Sequence, residues 1–312
     1  MTRPLAASAA CAFLLASIPA AADQSSPDIG ALARVEPTIL VPRLTYDLGE
    51  GIVLQLTLTN PSNVPVTVPE ACLEGSAVSI AAVGEPKSLR YAGILGDGKA
   101  LTIPPRSDRR LDLEVSRRAK LRKMGRFRIA WTCGEWETRH EEFFVSPPYD
   151  KERDRVAVVT TDLGTLELVL MPDQAPVHVR NFVDLARGGF YDGLPFFRVI
   201  PGIEADTGDP AGTGNGGWRI QLAPEIDESI RPGRGLVGAS RRETTLTSGS
   251  MFFILLDVQP SYKGLHTFFA YVRAGQEVLD ALSAVAVDGA DGTATFRPRK
   301  AISIRHIEIK GP

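Results

Sequence analysis

Residues 189–214 read GFYDGLPFFRVIPGIEADTGDPAGTG, and this stretch decides how the second half of the chain is interpreted. Arg198 stands in the middle of an apolar run. Taken alone, it would be explained as a buried partner of Asp206 or Asp209, because a charge that leaves water needs a counterion. The glycines that follow lack the Lys-Ser or Lys-Thr ending of a phosphate-binding loop, so residues 208–217 are predicted to form a turn-rich loop.

Secondary-structure signals on both sides of this stretch predict a β-barrel. Apolar residues alternate in two segments, 156–160 and 165–170, which are joined by a turn and are typical of strands. Pro176 opens a helical pattern that ends at two glycines, and a second helical pattern follows Gly275. A phase change in the last strand indicates a β-bulge near Arg305. Two helices among many short strands favour a closed antiparallel barrel with capped ends.

A series of short motifs, spread in order over half of the chain, resembles the cyclophilin family of peptidyl-prolyl cis-trans isomerases. The resemblance runs from about residue 155 to residue 310. The motifs are Ala175-Pro176, Asn181-Phe182, residues 189–194, residues 196–202, Gly208-Asp209-Pro210, Gly212-Thr213-Gly214, residues 249–254 and His266-Thr267-Phe268-Phe269. The resemblance implies a mainly β fold: an eight-stranded antiparallel β-barrel capped by two α-helices, with a proline-binding groove on one side.

The same resemblance suggests roles for four residues. Arg198 matches the family's catalytic arginine, which would donate hydrogen bonds to the twisted X-Pro amide. Phe253 matches the aromatic floor of the proline pocket, Ala239 matches a small wall residue, and His266 matches a histidine at the edge of the groove. Rotation about an X-Pro bond needs no nucleophile, because only amide resonance is lost on the way. We therefore expect no cofactor and no metal.

Several groove positions depart from the family's pattern. The family has phenylalanine and methionine where this chain has Ile203 and Glu204, and it has glutamines where this chain has Asp206 and Met251. An acid at position 204 removes apolar wall from the pocket. Asp206 could accept a charge-assisted hydrogen bond from Arg198, which would either orient the guanidinium or divert it from substrate.

The sequence departs from the family's pattern at two more groove positions. Ser240 replaces an asparagine whose backbone helps to bind substrate, and Ser261-Tyr262 replaces an aromatic residue followed by leucine. A serine at position 240 keeps the backbone contact, whereas the lost aromatic at 261 weakens the wall. The substrate-binding candidates are Phe253, Ala239, His266, Asp206, Ile203, Met251, Ser240 and Tyr262.

The first half of the chain is predicted to be an immunoglobulin-like β-sandwich. Apolar residues alternate from Ile52 to Leu58, from Leu111 to Val115 and from Phe127 to Trp131, with turn-forming sequences between them. Short strands at this spacing, with no helical pattern among them, favour two packed antiparallel sheets. A basic run at residues 106–128 is interleaved with acidic residues, so we interpret it as solvated strand faces and not as a docking patch.

The order of these segments predicts an exported protein with two domains. Residues 1–22 combine a basic start, a short apolar core and small residues, as in a cleaved signal peptide; lipid attachment at Cys11 is the alternative. A stiff, polar junction at residues 147–152 separates the β-sandwich, residues 30–147, from the cyclophilin-like domain, residues 154–312.

Composition limits the compartment and the partners. The net charge of -2 gives no overall attraction to nucleic acid or to anionic membranes. Cys72 and Cys133 are the cysteines that remain after the leader, and in an oxidising compartment they form either a disulfide or two buried thiols. No run after the leader reaches the roughly 20 apolar residues of a membrane-spanning helix. We therefore expect a periplasmic protein without a membrane span.

The leading functional hypothesis is a secreted peptidyl-prolyl cis-trans isomerase that assists the folding of exported proteins. Its partners would be unfolded or extended proline-containing polypeptides. The alternative is a catalytically weak module that binds such segments, and the departures at Ile203, Glu204, Asp206 and Ser261 favour it. A structural role in the cell envelope is a third hypothesis, which depends on the leader and the sandwich alone.

Overall fold

The computed structural model describes residues 35–83, 88–119, 121–133, 136–217, 220–241, 246–288 and 295–311. Within these ranges the chain is mainly β-structure, with twenty strands and three α-helices. Its hydrophobic core falls into two large clusters, one within residues 35–145 and the other within residues 157–307. The domain boundary between residues 147 and 154 stays a prediction.

Eleven of these strands build the first half. They are β1 (Glu36–Leu40), β2 (Thr45–Asp47), β3 (Val53–Asn60), β4 (Val66–Val68), β5 (Val78–Ala82), β6 (Ser88–Arg90), β7 (Leu101–Ile103), β8 (Ser107–Glu114), β9 (Gly125–Cys133), β10 (Trp136–Glu137) and β11 (Glu141–Ser146). One sheet has the order β1-β3-β8 and another the order β2-β11-β9-β5-β6. Strand β10 pairs with β9, and β4 pairs with β7.

The two larger sheets of this half share one hydrophobic core. Leu54, Leu56 and Leu58 of β3 are buried, while the residues between them are more exposed. On the other sheet, Phe127 and Ile129 of β9 join the same cluster. Period-two burial of this kind follows from the alternation of side chains along a strand. The immunoglobulin-like assignment of this two-layered structure stays a prediction.

One helical turn interrupts the predicted run of strands. The alternation of apolar residues placed Val115 in a strand, but β8 ends at Glu114 and helix α1 (Val115–Arg118) begins there. The backbone N–H of Val115 donates to the Ile52 carbonyl at 2.8 Å, and the Ile52 N–H donates to Ser116 Oγ at 2.9 Å. These bonds anchor the turn to the start of β3, so Val115 keeps its buried position without extending the strand.

A disulfide joins Cys72 and Cys133, whose Cα atoms are 5.2 Å apart. It links the 3-10 turn Glu70–Cys72 to the end of β9. The indole N–H of the buried Trp131 donates to the Cys72 carbonyl at 2.8 Å. Of the two alternatives for these cysteines, the structure has the disulfide.

The other nine strands build the second half. They are β12 (Val156–Thr161), β13 (Gly164–Leu170), β14 (Arg198–Ile200), β15 (Glu204–Thr207), β16 (Gln221–Leu222), β17 (Leu236–Arg241), β18 (Thr247–Leu255), β19 (Phe268–Ala274) and β20 (Ile304–Lys310). Eight of them follow the order β14-β15-β18-β17-β19-β13-β12-β20, and β16 pairs with β18. Every pair in this series is antiparallel.

Hydrogen bonds join the segment that leads into β14 to the start of β20 and the residues just before it, and so connect the two ends of this series. The Gly193 N–H donates to the Ile304 carbonyl at 2.7 Å, and the Phe196 N–H donates to the Ile302 carbonyl at 2.8 Å. Strand β20 skips Arg305 in its pairing with β12, which is the predicted bulge. The predicted eight-stranded antiparallel barrel is therefore confirmed.

Helices α2 (Pro176–Arg187) and α3 (Gln276–Ser283) pack against the barrel and bury their apolar faces in its core. Helix α2 begins at a proline, whose missing N–H costs nothing in the first turn. Gly275 precedes α3 with a φ of +94°, and a Cβ there would overlap the Thr165 carbonyl. Both predicted helices are thus present, and each starts where its sequence signal indicated.

Helix α2 also contacts the first half of the chain. The Thr45 hydroxyl donates to the Asp184 carbonyl. Arg180 donates through Nη2 to Asp47 at 2.9 Å and through Nε to the Asp184 carboxylate at 3.0 Å. Leu44 packs against the barrel core. One helix therefore serves both as a barrel cap and as the contact surface for the first half.

The predicted signal peptide, residues 1–22, and Cys11 lie outside the described residues. Among the helices that are described, none combines the length and the apolar character needed to cross a bilayer. Export of the chain therefore stays a prediction.

Candidate active site

The central site residues meet along one row that crosses five barrel strands. Cross-strand pairing places Arg198 opposite Asp206, and Asp206 opposite Phe253. Phe253 is opposite Gly238, and Gly238 is opposite Phe268. Directly paired residues of antiparallel strands point to the same face of a sheet. The resemblance to cyclophilins had grouped Arg198, Asp206 and Phe253, and the barrel places them side by side.

This row lies on the outer face of the barrel. Phe252 and Ile254 belong to the interior core, whereas Phe253, Leu255 and Phe268 form a separate cluster. The division follows from the alternation of side chains along β18. The interior is filled with packed side chains, so substrate can approach the row only from the outside.

Two carboxylates hold the guanidinium of Arg198. Its Nε donates to Asp206 Oδ2 at 2.8 Å, and its Nη2 donates to Glu204 Oε1 at 2.6 Å. The side chains of Glu204 and Asp206 are only 6% and 5% exposed, whereas that of Arg198 is 42% exposed. The Tyr262 hydroxyl donates to the other Glu204 oxygen at 3.0 Å. We call these four residues the guanidinium clamp.

Burial and neighbouring charges shift the pKa values within the clamp. Burial and the charge of Glu204 raise the pKa of Asp206 to about 7, against the lowering effect of Arg198. Burial and the Glu204 carboxylate raise the pKa of Tyr262 to about 12. Burial lowers the pKa of Arg198, but Asp206 and Glu204 outweigh this effect and raise it overall. Near neutral pH the guanidinium is therefore cationic, the phenol is neutral, and Asp206 changes its charge.

Aromatic side chains enclose the ring of Phe253. It makes edge-to-face contacts with Tyr262, His266 and Phe268, at centroid distances of 5.7, 5.0 and 6.1 Å. Gly238 on the adjacent strand leaves room for the ring, because a Cβ there would overlap it. The sequence predicted an open apolar slot above Phe253. The structure instead leaves this residue 2% exposed, because the tyrosine at 262 packs its ring against it.

His266 and Ser240 bring unpaired polar atoms to the site. His266 Nδ1 and Ser240 Oγ are buried and have no hydrogen-bond partner among the described residues. Burial lowers the pKa of His266, although the Ala239 carbonyl opposes this effect. Buried polar atoms normally have partners, so these two atoms are exceptions within the site.

The other predicted groove residues occupy different positions. Ala239 is in the interior core and donates its N–H to the Thr267 carbonyl at 2.9 Å, so its side chain is not part of the outer groove. Met251 is buried and lines a cavity of about 320 Å³ beside Arg198, Asp206 and Ser240. Ile203 lies half-buried in the turn between β14 and β15.

The loop at residues 208–217 is turn-rich, as its sequence predicted. The Asp209 carboxylate accepts hydrogen bonds from three backbone N–H groups of this loop, those of Ala211, Thr213 and Gly216. These bonds outweigh the effect of burial and lower the pKa of Asp209. Asp209 therefore organises the loop, and of these two aspartates it is Asp206 that pairs with Arg198.

Sequence reasoning missed a buried polar network beside the site. His178 of α2 contacts Glu225 through Nδ1 at 2.6 Å and Thr247 of β18 through Nε2 at 2.7 Å. The Glu225 carboxylate also accepts the N–H groups of Val177 and His178 at 3.0 Å, which caps the helix. Glu225 lies dozens of residues after the helix in the chain, so the sequence near the helix does not indicate that Glu225 caps it. In the part of the chain that the structure describes, no group of three or more His, Cys, Asp or Glu residues could hold a metal ion.

Comparison with known proteins bears on the same half of the chain. The protein-family model for cyclophilin type peptidyl-prolyl cis-trans isomerase/CLD matches residues 155–309. Peptidyl-prolyl cis-trans isomerase-like 1 of Rhizopus delemar is 36% identical over 144 residues, which are 45% of this chain and 86% of the relative. A crystal structure of a Cryptosporidium parvum cyclophilin type peptidyl-prolyl cis-trans isomerase is 28% identical, with a TM-score of 0.48, and covers 51% of this chain and 98% of its own.

Longer relatives match through the same segment. Peptidyl-prolyl cis-trans isomerase-like 2 of Cryptococcus neoformans (strain JEC21) is 37% identical over 174 residues, 53% of this chain. The chain spans only 29% of the length of that relative. The family match and the nearly full coverage of the Rhizopus relative, together with the barrel and its row of site residues, lead to one conclusion. The chain belongs, through its C-terminal half, to the cyclophilin-type peptidyl-prolyl cis-trans isomerase family.

Proposed function

We propose that the C-terminal domain isomerises X-Pro bonds in extended polypeptide segments, with Arg198 as the catalytic residue. The observation that carries this proposal is the position of the Arg198 guanidinium, which is 42% exposed in a row with Phe253 on the outer barrel face. Among the described residues, its Nη1 has no hydrogen-bond partner. A donor therefore remains for the nitrogen of a substrate amide.

The chemistry requires little more than such a donor. An X-Pro bond isomerises slowly because rotation breaks amide resonance, with a barrier of about 18–20 kcal/mol. Hydrogen bonds that strengthen as the amide twists lower that barrier, whereas bonds that are equal in both states do not. A rigid guanidinium held by two carboxylates is oriented before substrate arrives, which reduces the reorganisation needed for catalysis.

The clamp also weakens this catalyst. Glu204 and Asp206 offset the positive charge of Arg198, and Tyr262 packs over the ring that would hold the proline. We therefore propose a slow isomerase at neutral pH. The covered ring favours a second candidate, a module that binds proline-containing segments and does not turn them over.

We further propose that the protein is exported to the periplasm and acts on unfolded proline-containing polypeptides there. The sequence of residues 1–22 and the Cys72–Cys133 disulfide support this location, because disulfides persist in oxidising compartments. Isomerisation needs no energy source, so it is compatible with that location. The first half would then act as a second contact surface for the same polypeptides.

The proposal is tested by comparing the wild type with Arg198→Ala and the control Arg273→Ala. Arg273 is similarly exposed, at 49%, and lies on β19 in an ion pair with Glu167. Cis-trans exchange of a peptide with one X-Pro bond is followed by NMR, and peptide affinity by calorimetry. We expect Arg198→Ala to lose about 10²-fold in turnover, the size typical for loss of a transition-state donor. Equal turnover in the two variants would refute catalysis by Arg198; binding without turnover in the wild type would identify the module.

A further inference from the structure

The guanidinium clamp contains one more carboxylate than a single guanidinium can neutralise. We propose that Asp206 and Glu204 are positioning residues that restrain Arg198 as an isomerisation catalyst, and that uptake of one proton by this pair releases the restraint and speeds turnover. This inference rests on the proposed function of the domain. It names a regulation of the same site by mild acidity.

Hydrogen bonds to the two carboxylates restrain the guanidinium of Arg198. Asp206 Oδ2 and Glu204 Oε1 accept hydrogen bonds from two different nitrogens of Arg198, at 2.8 and 2.6 Å. Both carboxylates are about 95% buried, so solvent screens their effect on the guanidinium only weakly. With both ionised, the three side chains carry a net charge of -1. With one proton bound, the same group is neutral.

The net charge of the clamp determines the electrostatic potential that acts on a substrate amide. A twisted X-Pro amide gains from a positive potential at its nitrogen, because the lone pair leaves the carbonyl group and returns to the nitrogen as resonance is lost. Two adjacent anions cancel much of the potential of one cation. Removing one anion leaves the guanidinium in place, held by the other carboxylate, with a stronger field toward solvent.

Asp206 is the member of the pair that takes up the proton. Burial and the charge of Glu204 raise the pKa of Asp206 to about 7. Asp206 is therefore mostly ionised at pH 8 and mostly neutral at pH 6, and turnover is expected to rise as the pH falls between these values.

Glu204 is held differently. Its second oxygen accepts the Tyr262 hydroxyl at 3.0 Å, and Tyr262 stays protonated over this range because its pKa is raised to about 12. Tyr262 thus keeps Glu204 beside the guanidinium while Asp206 titrates. Removing Glu204 would remove the like charge that disfavours ionisation of Asp206, and the Asp206 titration would move to lower pH.

The other ionisable groups around the clamp do not alter the expected protonation of Asp206. They are His266, which contacts the rings of Tyr262 and Phe253, and Arg241 and Arg297, which line the cavity beside Arg198 and Asp206. Burial lowers the pKa of His266 below its ordinary value, so its ring is neutral over most of the range.

The test is the pH dependence of kcat/KM between pH 5.5 and 8.5 for the full chain and four variants. The variants are Asp206→Asn, Glu204→Gln, Arg198→Ala and a control, Glu308→Gln, which removes an exposed carboxylate from β20. We expect wild-type and control turnover to rise on the order of tenfold toward low pH, as for one charged hydrogen bond. Asp206→Asn should be fast and independent of pH, and Glu204→Gln should shift the midpoint to lower pH.

The outcomes separate this inference from the function on which it rests. Turnover at pH 6 that is equal in the wild type and in Arg198→Ala would refute the proposed function, and this inference with it. Turnover that depends on Arg198 but has the same pH profile in the wild type and in Asp206→Asn would refute the inference alone. A purely structural role of Asp206 predicts that second result, with reduced stability of the variant.

Discussion

The burial of Asp206 also leads to a prediction about the free energy of unfolding, which does not depend on enzymatic activity. The perturbation is a change of pH from 5 to 8 in the wild type and in Asp206→Asn. In the folded protein the pKa of Asp206 is raised from 3.8 to about 7, chiefly by burial. In the unfolded chain the carboxyl returns to its ordinary value. Between these two values the folded state binds a proton that the unfolded state has released, so stability falls as the pH rises.

The magnitude follows from the two pKa values. The full difference between 3.8 and about 7 corresponds to about 4 kcal/mol of stability that is present at low pH and lost above pH 7. Over the accessible window from pH 5 to pH 8, the loss amounts to about 2.5 kcal/mol. The side chain is only 5% exposed, so solvent screening reduces this value little. The asparagine variant lacks the titration and should not lose this amount.

The assay is denaturant unfolding followed by circular dichroism at pH 5 and at pH 8. Other groups also titrate, among them Asp184, whose pKa is raised by burial. The relevant quantity is therefore the difference between the wild type and Asp206→Asn. We expect the wild type to lose about 2.5 kcal/mol more than the variant between the two pH values. The same loss in both proteins would refute the pKa assigned to Asp206.

Two further predictions concern packing and the cross-link. Reduction of the Cys72–Cys133 disulfide, which spans 61 residues, should lower the unfolding free energy of the first half by about 4 kcal/mol. Denaturation monitored by tryptophan fluorescence measures this loss, and an unchanged midpoint would contradict it. Gly238→Ala should displace the Phe253 ring, destabilise the barrel by about 1–3 kcal/mol and weaken peptide binding. Thermal melting and calorimetry test this, and wild-type values in both would show that the ring adapts without cost.

Much of the second half could be predicted from its sequence. Pro176 and Gly275 fix the starts of both helices, because the first has no N–H to lose and the second adopts a left-handed conformation. The phase change at Arg305 marks a bulge that pairing with β12 confirms. These features are local, so the residues that cause them lie next to each other in the chain.

The contacts among the side chains of the site could not be predicted in the same way. Tyr262 follows Glu204 by 58 residues in the chain, and only the finished barrel shows that the two side chains meet. The resemblance to cyclophilins suggested an apolar slot over Phe253, and the exchange at 262 covered it. The cap of α2 by Glu225 was missed for the same reason, since a helix terminus can be satisfied by any nearby segment.

In the first half of the chain, prediction from the sequence succeeded for β3 and failed at the end of β8. Alternation in β3 correctly indicated Leu54, Leu56 and Leu58 as core residues. At Val115 the alternation continued while the strand did not, because period two cannot distinguish the last strand residue from a buried residue in a helical turn. Nothing in the sequence indicated that Arg180 would join the two halves through Asp47.

The row from Arg198 to Phe253 has a consequence for how such a site can change over time. Two steps between neighbouring strands, each about 4.8 Å, set the distance from the backbone of β14 to that of β18. Backbone hydrogen bonds fix that distance, so an exchange of side chains alters what is displayed at each position and leaves the spacing as it was. Acidic residues could therefore replace neutral ones at 204 and 206 while the arginine and the ring kept their places. The barrel strands fix the spacing of the site residues, and exchanges of side chains at these positions can change a catalytic site into a site that only binds.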